Sequence, residues 1–240
     1  MIAFHGNQEI KQMYLSRVAA HEAADEIAQG YYWENGKGCA VGCTIHGSQH
    51  ALYETELGIP EDLAYLQDGI FEGLPNAKAK LFPREFLDAI PVGADLSLVV
   101  NQFLVWLLVD PLHGVIQFAG KDSEREAIDA VAKLHLRVIS GDPPEKSEWA
   151  AAGAAAGAAA RAAAWAAARA AARAAAGAAA WAAAWAAAWD AARAAAWAAA
   201  WDAAWDAAGD AARAAAWDAQ KDKLLALLRA APVTVHAGDK

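Results

Sequence analysis

The sequence predicts an all-α protein. A small helical N-terminal domain is followed by a long Ala/Trp tetrapeptide-repeat helix, or by a helical hairpin or bundle of the same residues. Three observations predict this. Apolar residues in the front half recur at three- and four-residue spacing between Pro and Gly breaks. No stretch alternates apolar and polar residues long enough to read as a strand. Residues 149–219 are mostly Ala, the strongest helix former.

The elements follow in order. Residues 8–29 place Ile10, Met13, Tyr14, Val18, His21 and Ala24 along one helical face, and Gly30 suits the C-terminal cap. Residues 31–50 read as loop, with a short helix around 39–46. They open on Tyr31, Tyr32 and Trp33 and continue with Gly36, Gly38, Gly42 and Gly47. A helix follows Pro60 and runs to about Glu72, with Glu61 and Asp62 at its positive end and Gly73, Leu74 and Pro75 closing it. Phe82–Ile90 is a short helix with Pro83 in its first turn. Asp95–Val109 is the apolar core helix, stopped by Pro111. Ser123–Val138 is the next, with Ser123 and Glu126 spaced as a capping box. Pro143 and Pro144 mark a linker. The domains are then 1–145, the tract 149–219, and a short helix with a tail over 220–240. In this last piece Leu224, Leu225, Leu227 and Leu228 form an apolar face ahead of Pro232.

Within the tract every fourth residue from Trp149 to Trp217 is Trp, Arg or Gly. The 18 slots hold nine Trp, five Arg and four Gly, and each of the five Asp directly follows a slot. Four residues turn an α-helix by ~400°, so each slot is rotated ~40° from the last. A straight helix cannot keep all the indoles on one face, and a period of four lies outside the usual supercoil repeats. One unbroken helix over the 71 residues would be about 105 Å long. The alternative is a hairpin or bundle bent near Gly177 or Gly209. Trp165, Trp181, Trp185, Trp189, Trp197, Trp201, Trp205 and Trp217 form the candidate interaction surface, since Trp and Arg concentrate at binding hot spots. A drifting DNA repeat offers a blander origin, because the Trp, Arg and Gly codons TGG, CGG and GGG differ by one base.

Composition excludes some functions. Residues 1–148 carry 22 Asp and Glu against 11 Lys and Arg. That balance argues against nucleic-acid binding, which needs basic surface for phosphate contacts. The longest uncharged stretch of the tract, 174–189, holds 16 residues, short of the ~18–20 a membrane-spanning helix needs. No basic then apolar leader opens the chain, and there are only two cysteines. Together these predict a cytoplasmic protein with reduced thiols.

One constellation could carry chemistry: Cys39, Cys43, His46 and His50, in the order Cys-x3-Cys-x2-His-x3-His. Zinc takes these side chains in tetrahedral sites, and Gly38, Gly42 and Gly47 would permit a tight loop. The spacing departs from the usual pattern of two short pairs set well apart. Buried cysteines and satisfied histidines are the plain alternative. Cys43 with His46 could also act as nucleophile and base. His21-Glu22 matches only the first half of HExxH, while His21 and Asp25 share a helix face and could join the cluster. The sequence thus supports two readings. The first is a non-enzymatic interaction protein that uses the Trp-studded tract to bind a protein partner or itself. The second is a metal- or thiol-dependent activity at the Cys/His cluster.

Overall fold

Asn7 starts the first helix by accepting the Glu9 N–H at 2.7 Å. In the computed structural model, which describes residues 1–152, 154 and 210–234, this helix, α1, spans Gln8–Ala23 and buries Tyr14 and Val18. It ends well before the expected Gln29. Asp25 adopts a left-handed conformation at φ 56, and the chain then runs extended beside Gly38, with Ala28 N–H donating to Gly38 O at 2.9 Å. Gly30 sits in the following turn, at φ 87, and caps nothing on α1.

A hairpin follows where the sequence reads as loop. Strands β1 (Trp33–Glu34) and β2 (Lys37–Gly38) pair antiparallel. Asn35 and Gly36 between them both have positive φ, 51 and 82, as a tight two-residue hairpin turn requires. Helix α2 (Ala40–Ile45) falls inside the expected 39–46. Helix α3 (Leu52–Leu57) has no counterpart in the sequence reading and is stopped by Gly58 at φ 63. Helices α4 (Glu61–Gly73), α5 (Asn76–Ala79) and α6 (Phe82–Ala89) follow. Two of these, α4 and α6, match expectation. Pro83 stands in the first turn of α6, where no donor is lost.

Helix α7 (Val99–Val109) begins later than Asp95. The Asp95 carboxylate accepts the Ser97 N–H at 3.0 Å, and its own N–H donates to Pro232 O at 2.8 Å. A turn and a long-range pairing therefore hold the residues that sequence alone assigns to the helix. Helix α8 (Asp122–Ile139) lies within a residue of its expected bounds. Its cap is supplied by Glu124, not by Ser123 and Glu126. The buried Glu124 carboxylate accepts the N–H groups of Gly120 at 2.8 Å and Lys121 at 3.2 Å. The last described helix, α9, spans Asp210–Arg229.

The chain forms two compact units, Met1–Val100 with Gln220–Lys240, and Asn101–Ala219. In the first, Phe4, Tyr53, Phe71, Phe82 and Phe86 are fully buried, and Leu224, Leu225 and Leu228 of α9 join the core. Lys221 reaches Glu85 at 3.1 Å. The segment Gly93–Asp95 pairs with both ends of the described chain. Ala3 N–H donates to Ala94 O at 2.9 Å, and Thr234 N–H donates to Gly93 O at 3.1 Å. The expected tail therefore begins with sheet-like pairing.

In the second unit, Arg137 binds Asp142 at 2.8 Å and Glu148 at 2.6 Å, tying α8 to the start of the tract. The described parts of the tract, up to residue 152 and from residue 210, are helical. Among the described residues, no helix is long and apolar enough to cross a membrane. The protein is predominantly helical.

Candidate functional site

The six residues of α2, Ala-Val-Gly-Cys-Thr-Ile, are all buried. Val, Thr, Ile, Cys and Gly are weak helix formers, so confinement rather than propensity makes this helix. Two glycines allow it. A Cβ on Gly42 would stand 1.5 Å from Tyr32 O, and one on Gly38 would stand 2.2 Å from the same atom. Cys39 N–H donates to Tyr31 O at 2.8 Å. The Tyr31–Trp33 backbone is thus strapped across the start of α2, which places Trp33 beside the last residue of that turn, His46.

The cysteines serve α2 itself. Cys39 is its N-cap, with Sγ accepting the Gly42 N–H at 3.4 Å. The Cys43 thiol donates to Gly38 O at 3.3 Å. Both are free and buried, at 1% and 0% exposure. Burial, reinforced by Asp68, raises the Cys39 thiol far above its usual range. Burial pushes Cys43 up to about 12. Nucleophilic attack uses the thiolate, and this surrounding favours the protonated thiol at both positions.

The two histidines of the expected cluster go different ways. His50 is buried, stacked on Tyr65 at 4.0 Å between centroids, with Nε2 3.5 Å from Asp68 Oδ2. His46 is exposed at the C-terminal end of α2 and meets His21 instead, with the two Nε2 atoms 2.8 Å apart. Trp33 stacks on His46 at 4.5 Å and meets His21 edge-on at 5.4 Å. Behind His21, its Nδ1 lies 2.6 Å from Glu26 Oε2. Burial, then Arg17 and His21, lowers the His46 pKa, against an opposing pull from Glu56.

Cys39, Cys43, His46 and His50 therefore do not surround a common point. Among the described residues, no group of three or more His, Cys, Asp or Glu is placed to hold a metal ion. Asp25 does not partner His21; it pairs with Lys80. Glu22 pairs with Arg84 at 3.1 Å.

Sequence reasoning missed Glu26 and the placement of Trp33. On a continuing helix, Glu26 would lie ~140° round from His21. Only the break at Asp25 swings it back, and no local signal announces that break. Trp33 lies in a stretch that reads as loop, and its partner is set by the glycine cradle.

Of the tract, Trp217 is half-buried on α9, and Trp149 packs edge-on against the buried His135 at 4.8 Å. Trp165, Trp181, Trp185, Trp189, Trp197, Trp201 and Trp205 lie outside the described residues. Compared with family models, with curated proteins and with solved structures, the chain matches none of them.

Proposed function

We propose that this protein acts by binding, with the Trp-studded tract as the contact surface for a protein partner or a second copy of the chain. The observation that carries the reading is the sequence of the tract: nine Trp and five Arg set at fixed spacing in an Ala background. Indoles of that number in water amount to a large apolar surface, which in a folded protein is covered by something. Two contacts support an anchored tract. Leu224, Leu225 and Leu228 bury the end of α9, and Trp149 rests on His135. The finer architecture, one long helix or a hairpin, belongs to the same proposal.

The test replaces the indoles and keeps the helix. Trp165, Trp181, Trp185, Trp189, Trp197, Trp201 and Trp205 are changed to Ala together, which retains the best helix former at every slot. Sedimentation velocity and partner capture are then compared with the parent chain. A smaller assembly, or loss of a defined partner, is the expected result. Unchanged sedimentation and an unchanged set of partners sink the reading.

A further inference from the structure

The reactive centre that the buried cysteines do not provide has a counterpart in the histidines. With both imidazoles neutral, the hydrogen bonds select one tautomer for each. Glu26 is acceptor-only when ionised, so the 2.6 Å contact puts a proton on His21 Nδ1. Neutral His21 then presents a lone pair at Nε2. The 2.8 Å contact between the two Nε2 atoms therefore needs the proton on His46 Nε2. A neutral His46 protonated there leaves its Nδ1 as a bare lone pair, and among the described residues Nδ1 has no hydrogen-bond partner.

Further features belong to the same place. His46 is the exposed member of the chain of three, while the His21 side chain is 13% exposed. His46 also holds a left-handed backbone conformation, φ 53 and ψ 44, at the end of α2. That conformation is unfavourable for a residue with a side chain. Such strain collects at functional positions. Its ring is clamped by Trp33 at 4.5 Å and by His21 at right angles, at 5.1 Å. Arg17 and Glu56 are the other charged groups that act on it, with opposite sign.

We propose that Glu26, His21 and His46 form a proton relay, and that His46 Nδ1 is a surface general base for water or a substrate hydroxyl attacking an acyl centre. The step balances. The hydroxyl proton passes to His46 Nδ1 as its oxygen pair bonds to the carbonyl carbon. The Nε2 proton of His46 moves to His21 Nε2. His21 is then an imidazolium held against the Glu26 carboxylate. When the acyl intermediate collapses, the leaving group takes back one proton along the same path. No oxidant, reductant or metal is involved. The roles follow the nucleophile, base and orienting-group pattern, with a second histidine interposed. His46 is the catalytic residue; His21 and Glu26 are positioning residues.

Two measurements on the full chain test it. Long-range nitrogen–proton NMR of the imidazoles should find His21 protonated at Nδ1 and His46 protonated at Nε2 only. Acylation by diethyl pyrocarbonate, followed residue by residue by mass spectrometry, should modify His46 ~10-fold or more faster than exposed His5 and His113, a small part of the ~10²–10⁴-fold that a positioned base contributes. Glu26→Gln should bring that rate down to theirs while circular dichroism stays unchanged. Should Glu26→Gln fail to fold, His21→Gln serves in its place. A proton on His46 Nδ1 overturns the relay. So does a His46 rate equal to that of His5 in the parent chain, or one that neither variant lowers.

Discussion

Helix α2 has six residues and helix α9 has twenty, and they are helical for opposite reasons. In α2, Val41, Gly42, Cys43, Thr44 and Ile45 disfavour the helix by about 3 kcal/mol in all relative to Ala. The Tyr32 carbonyl on one side and a fully buried surround on the other leave the backbone no alternative. In α9, Ala-rich sequence favours the helix from within, and one Leu face then docks it. A helix made by confinement holds its neighbours through close contact along its whole length. A helix made by composition needs a sparse set of anchors to place it. Chemistry at a fixed distance, as between His21 and His46, grows on the first kind.

Adding a methyl to α2 is the strongest way to break this contrast. Gly42→Ala raises intrinsic helix propensity by about 1 kcal/mol. Even so, it should cost about 3 kcal/mol or more, because the new Cβ collides with backbone and not with a side chain that can swing aside. Chemical denaturation measures it, and the Trp33 contact with His46 should loosen in the same variant. A neutral or stabilising outcome would mean that α2 is not held by confinement.

Next in size, Leu228→Ala removes a fully buried anchor of α9 and should cost about 3 kcal/mol. The helix itself should survive, because Ala is its best former. Near-unchanged stability would show that the Leu face does not dock α9.

A comparable loss is expected on acidification. Burial lowers His135 from 6.5 to about 4. As pH falls through 6.5 the unfolded chain takes up the proton first, and the folded chain follows only near 4. The stability is whole above 6.5 and falls by up to about 3 kcal/mol as pH drops to 4. Asp62 works the other way. Burial, with Glu61 and Glu54, pushes it up to about 6, so the folded state gains relative stability as pH falls from 6 towards 3.8. Urea midpoints of the parent chain and His135→Gln at pH 7 and 4.5 isolate the histidine. The variant should lose distinctly less on acidification, and equal losses would refute the assignment.

The smallest effect sharpens the comparison from the other side. Ala226 is exposed on α9, so Ala226→Gly should cost only the propensity difference, about 1 kcal/mol. The same pair of residues exchanged in opposite directions thus destabilises both helices, by unequal amounts and for unlike reasons. A cost near that of Leu228→Ala would show that α9 also depends on confinement.

Much of the scaffold was legible in the residues. Pro60, Pro83, Pro111 and Pro232 mark helix boundaries, because proline's fixed φ and missing N–H act on the chain next to it. The apolar spacing of α4 and α8 and the Leu face of α9 were equally plain. The candidate site was legible in part. The segment 39–50 was found and His21 was noted, whereas the partners were not legible: Cys39, Cys43, His46 and His50 turn to Gly42, Gly38, His21 and Asp68.

By itself the sequence determined the bounds of α2, α4, α6 and α8 to within a residue or two, that the described ends of the tract are helical, and that the front half is acidic. These are local or additive properties: propensity, periodicity, capping and charge act over a few residues or simply sum. Only the tertiary structure decided the rest. It shortened α1 at Asp25, closed the Asn35–Gly36 hairpin and folded α2 against Tyr32. It paired Gly93–Asp95 with both ends of the described chain, and set Glu26 behind His21 and His21 against His46. Each of those depends on atoms brought together by a turn or from distant parts of the chain. Their energies are fixed by contact distances that no window of neighbouring residues contains.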